Sequence, residues 1–96
     1  IIILLMDRFK YKYYDDEDIG LFEDSMDNYK HSKFIGETVV FDLDKSENLI
    51  AIEILGFKAG NFPKKDVQKA LKKYLGKDSE ELFQRIIRER EQESLS

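Results

Sequence analysis

The apolar residues of this chain change their period once, near Asn61, and that change limits what the chain can fold into. Before it they recur at every second position, as in Phe9, Tyr11 and Tyr13, in Val39, Phe41 and Leu43, and in Ile50, Ile52 and Ile54. A repeat of two sends side chains to alternate faces of a strand and leaves one face to be buried. After it, Val67, Ala70, Leu71, Tyr74 and Leu75 follow in steps that mark one side of a helix, as do Leu82, Phe83, Ile86 and Ile87. Pro63 suits a first helical turn, and Gly76 suits a helix end. Asp78 with Glu81 forms a capping-box pattern that opens a second helix.

These signals give an α+β domain: a four-stranded antiparallel β-meander made of two hairpins, over about residues 8–56, followed by two C-terminal helices over about 62–90. The acidic run Asp15, Asp16, Glu17 and Asp18 turns the first hairpin, and IGLF returns from it. The segment DSMDNYKHSK lacks periodicity and is expected to be a loop. Beyond Arg88 the sequence has little to bury, so residues 89–96 are expected to fray. With 96 residues the chain supports one core and one domain.

The opening Ile1 to Leu5 is apolar but far shorter than the ~20 residues of a spanning helix. It lacks the basic flank and cleavage site of a signal peptide. Met6 follows it directly, so Ile1 to Leu5 are expected to be non-native upstream sequence, with an extra strand as the rival. No membrane anchor is expected. The absence of Cys excludes disulfides, thiolate metal sites and cysteine nucleophiles, and fits a cytoplasmic protein.

The acidic stretch FDLDKSENLIAIEIL raises a choice between a calcium loop and a hairpin turn. With Asp42 as first ligand, Asp44, Ser46 and Glu53 fall at ligand positions, but the position that needs Gly holds Glu47. An extended run from Asn48 would also carry Glu53 roughly 16 Å from the turn. A plain hairpin is expected, with Asp42 and Asp44 as the candidate metal ligands if an ion binds at all.

The stretch SKFIGETVVFDLDKSENLIAIEIL, preceded by YYDDEDIGLF, resembles the prokaryotic family called domain of unknown function 2283 over Tyr13 to Leu55. Where that family has Gly before an I-E-I-L motif, this chain has Ala51. Its Asp-x-x-Gly turn is replaced by Asp44, Lys45, Ser46, Glu47 and Asn48. The resemblance implies a compact β-meander without assigned activity. Some members are encoded beside small toxin-like proteins, which implies a partner-binding role.

Catalytic chemistry finds little support. His31, the one His, stands beside Ser32 without a third group or an oxyanion site in view, and no Gly-rich phosphate loop occurs. No enzyme activity and no cofactor are expected. Charge is distributed in blocks: −6 over residues 1–60, +5 over 61–77 and −3 over 78–96. The expected function is protein binding, in its specific form as an antitoxin-like partner of a small basic toxin, with Asp15, Asp16, Glu17 and Asp18 as the docking acids. A homodimer is the other expected assembly. Weak calcium binding is one alternative, and weak nucleic-acid binding through Lys65, Lys69, Lys72 and Lys73 is another. Nucleic acid ranks below a protein partner because the whole chain is acidic, at −4.

Overall fold

The computed structural model describes residues 8–95. Ile1 to Leu5, and the question of whether they are native, lie outside the described residues. Five strands form one antiparallel sheet: β1 (Lys10–Tyr14), β2 (Ile19–Glu23), β3 (Tyr29–Ile35), β4 (Val39–Asp44) and β5 (Leu49–Leu55). Two helices follow, α1 (Lys64–Leu75) and α2 (Ser79–Ser94), joined through a 3-10 turn at Gly76–Asp78. Helical backbone therefore runs almost without interruption from Lys64 to Ser94. The chain still changes direction within it. Gln68 Nε2 donates to Glu80 Oε2 at 3.2 Å, whereas twelve residues of straight helix would hold their side chains about 18 Å apart. Gly76, at φ 60, supplies the break in conformation.

Two expectations for the sheet are corrected. It has five strands instead of four, because β3 begins inside the polar segment expected to be a loop and runs two residues beyond it. All of β3 except Ile35 is exposed, so no alternation marks it, and its strand form rests on the backbone ladder to β4 that runs from Tyr29↔Asp44 to Ile35↔Val39. The sheet is also not a meander throughout, since the spatial order is β1-β2-β5-β4-β3. Strands β3, β4 and β5 are consecutive neighbours, but β2 docks on β5, giving a Greek-key arrangement. Residues 24–28 cross the end of β5 and β4 to reach the far edge. Asp24 N–H donates to Ile50 O at 2.8 Å and Lys45 N–H to Asn28 O at 3.1 Å along the way.

One sheet face is buried under the helices. Tyr11, Tyr13, Gly20, Phe22, Val39, Phe41, Ile52 and Ile54 share it by register and alternation. Val39, Phe41, Ile52 and Ile54 are fully buried with Val67 and Leu71 of α1 and Leu82 and Ile86 of α2. Ile50 is buried too, while Tyr74 is half-buried with its ring edge-on to Phe41 at 6.0 Å. Leu71→Ala is expected to cost about 2–5 kcal/mol, read by denaturant unfolding; a change within error would remove α1 from the core.

The second helix ends later than expected. It continues to Ser94 instead of stopping near residue 90. The last turns have a polar contact in place of an apolar one: Arg90 lies over the loop at Gly60, where an added Cβ would meet its guanidinium at 2.5 Å. Arg90 Nη2 also donates to Ala59 O at 3.4 Å.

Candidate functional site

Among the described residues, no helix or strand packs over the other face of the sheet. Alternation and register place on it Lys10, Lys12 and Tyr14 of β1, Ile19, Leu21 and Glu23 of β2, and Ala51, Glu53 and Leu55 of β5. Val40 and Asp42 of β4, with Ser32 and Phe34 of β3, complete it. Large apolar groups here meet water: Phe34 is 65% exposed, Leu55 39% and Tyr14 36%. Ile19, Leu21 and Val40 are half-buried among their neighbours.

The face has a defined centre. Glu53 stands on the middle strand, directly opposite Leu21 on one side and Val40 on the other. In the adjacent row Ala51 stands between Glu23 and Asp42. Ala51 is fully buried between them. A depression of about 480 Å³ on this face is lined by Tyr14, Glu17, Ile19, Leu21, Glu23, Asp42 and Glu53. Ion pairs take up Asp24, with Arg8 at 3.4 Å, and Glu47, with Lys30 at 3.6 Å, and Glu47 Oε2 also shares a hydrogen bond with His31 Nε2 at 2.9 Å. Among the described residues, no ion pair takes up Glu23, Asp42 or Glu53. Asp42 only accepts from Ser32 Oγ, at 2.6 Å.

The acidic β1–β2 turn divides in two. Asp15, Asp16 and Glu17 are exposed, and Glu17 reaches the depression. The Asp18 carboxylate is taken up by hydrogen bonds within the fold. Its Oδ1 accepts from Lys58 N–H at 2.7 Å and from Tyr13 Oη at 2.8 Å, and its Oδ2 accepts from Ala59 N–H at 3.3 Å. Its carbonyl accepts from Gly56 N–H at 2.9 Å and Phe57 N–H at 3.1 Å. Partial burial alone would raise the Asp18 pKa, but the donors of Lys58, Tyr13 and Ala59 together outweigh it and hold the carboxyl below its usual range. The same arrangement pushes the Tyr13 hydroxyl up to about 12, by desolvation first and then by its bond to Asp18.

Asp42 and Asp44, the candidate metal ligands, lie on β4 where it enters the plain hairpin expected from the sequence. β4 and β5 pair as a hairpin, and Glu53 sits mid-strand, away from the turn. The Asp44 carboxylate is occupied: Oδ1 accepts from Asn48 N–H and Ser46 N–H, each at 2.9 Å. The Asn48 N–H is the main cause of its lowered pKa. Among the described residues no group of three or more His, Cys, Asp or Glu is placed to hold a metal. Glu47 adopts φ 64, a left-handed conformation that glycine adopts most readily.

On α1, Lys65, Lys69 and Lys72 line one cleft with Lys77 and Glu80, of about 430 Å³, whereas Lys73 is not among its lining residues. Lys73 instead lies over the Tyr74 ring at 5.6 Å. Sequence reasoning missed Leu21, Glu23, Val40, Leu55 and Phe34 as a surface. The signal for most of it was available in the alternation itself, since the residues between buried ones define the opposite face.

Residues 10–58, the whole sheet and the loop after it, match the family described as Protein of unknown function (DUF2283). The chain belongs to the DUF2283 family. No curated protein and no solved structure matches it. Both the acidic turn and the uncovered face fall inside the DUF2283 segment, whereas the helices that bury the other face lie beyond it. Among the described residues no helix is long and apolar enough to cross a membrane.

Proposed function

We propose that this protein is a non-catalytic protein-binding domain that docks its partner on the uncovered sheet face. In its specific form it is the neutralising member of a toxin–antitoxin-like pair in a prokaryotic cytoplasm. The observation that carries this reading is the exposure of Tyr14, Phe34 and Leu55 beside half-buried Ile19, Leu21 and Val40 on a single continuous face. An amphipathic sheet gains stability when such a face is covered, and contiguous exposed apolar surface marks interaction sites. The exposed acids Asp15, Asp16 and Glu17 would then lie at the rim, where charge acts mainly on the rate of association.

A second reading is nucleic-acid binding, favoured by the convergence of Lys65, Lys69, Lys72 and Lys77 on one cleft. One experiment separates the two. The protein is used to capture partners from host lysate, with and without nuclease, alongside a Val40→Lys/Leu55→Lys variant and a Lys65→Glu/Lys69→Glu variant. Docking on the sheet predicts a nuclease-resistant protein partner lost only in the first variant. Nuclease-sensitive material lost only in the second would overturn that reading.

A further inference from the structure

The geometry points to a cationic side chain of the partner, an arginine flanked by apolar residues, as the group received at the centre of the uncovered face, with Glu53 as its anchor. The inference rests on the protein-docking reading and specifies its chemistry.

Glu53 is a half-buried carboxylate on the central strand, set between Leu21 and Val40. A partner that covered this row with apolar groups alone would strand the charge away from water, which is costly unless a counter-charge arrives with it. Among the described residues no cation is ion-paired with Glu53, and Lys10, on the edge strand, stands opposite Glu23 instead. Lys12, the cation in the same row, lies over the Tyr14 ring at 4.9 Å. Glu23 and Asp42 flank Ala51 from the two neighbouring strands, so their Cα positions lie about 10 Å apart across β5. A guanidinium above Ala51 can turn its planar fork toward more than one of these acids while its methylenes rest on Leu21 and Ile19, a geometry that lysine matches less well.

Other occupants fit worse on the same observations. The carboxylates do not form a metal-ligating group among the described residues. Phosphate backbones and anionic lipid headgroups share their sign. A second copy stacked about a twofold axis along β5 would oppose Glu53 to Glu53 and Glu23 to Asp42, because both of the latter pair with Ala51.

The test titrates short peptides of alternating Val and Thr, with a central Arg, norleucine or Glu, into the isotope-labelled protein and follows backbone amide resonances. The Arg peptide is expected to shift Leu21, Val40, Ala51 and Glu53, and to bind at least about tenfold more weakly to Glu53→Gln. Glutamine preserves the shape, and unchanged Phe41 and Leu71 resonances confirm that the core is intact. Norleucine binding as tightly as Arg at the same amides would overturn the cationic anchor while leaving the docking face in place. No shift with the Arg peptide, or the same shifts produced by spermidine with the same Glu53 dependence, would overturn the polypeptide cation. Perturbation confined to Lys65, Lys69 and Lys72 would overturn both the anchor and the docking face.

Discussion

Phe57→Ala is expected to lower the free energy of unfolding by about 3–5 kcal/mol. The side chain is fully buried although it comes from the loop after β5. It sits at the centre of an aromatic group, with ring centroids 5.9 Å from Tyr11, 6.0 Å from Phe22, 6.2 Å from Tyr13 and 6.3 Å from Phe62. The ring has room because β2 carries Gly20 beneath it, where an added Cβ would stand 2.5 Å from the Phe57 ring. Gly20→Ala should therefore be destabilising as well, by about 1–3 kcal/mol from overpacking. The double variant should cost less than the sum of the two, because truncating Phe57 removes the clash. Chemical denaturation of the three variants checks this; additive costs would show that the two residues do not share one packing site.

Asp18→Ala is expected to cost on the order of 2–3 kcal/mol, since it removes the acceptor of charge-assisted bonds from Lys58 N–H, Ala59 N–H and Tyr13 Oη. It also places Ala at φ 53, a conformation that Asp tolerates better. The pH dependence follows from the lowered carboxyl pKa. Below about pH 4, near the ordinary Asp value, the unfolded chain binds the proton first. The contribution of Asp18 is thus fully present above that value and is lost as pH falls through the lower folded-state value. Asp18→Asn accommodates the same backbone without titrating, so its stability should fall less than that of the parent between neutral pH and acid. Parallel acid-limb curves for the two proteins would show that this carboxylate contributes nothing to acid unfolding.

The division between legible and hidden structure follows the range of the interactions. Periodicity made the buried residues of β4 and β5, the two helical stripes and the β4–β5 hairpin readable, because each rests on neighbours a few residues apart. The motif around IAIEIL carried the family resemblance for the same reason. β3 was hidden because both its faces meet solvent, so that only the ladder to β4, not a side-chain pattern, makes it a strand. The placement of β2 beside β5 was hidden because a five-residue connection fits either a nearby or a crossing path.

The acids show the same split at the candidate site. Local sequence set Asp15 to Asp18 together in one turn and left them equivalent. The loop at Lys58 and Ala59, forty residues away, withdrew Asp18 into the fold and left Asp15, Asp16 and Glu17 at the surface. Glu53 was recognisable as sharing a strand side with Ala51. What only the tertiary structure decided is that, among the described residues, both helices pack on the opposite face, so that the side carrying Glu53 has no helix over it.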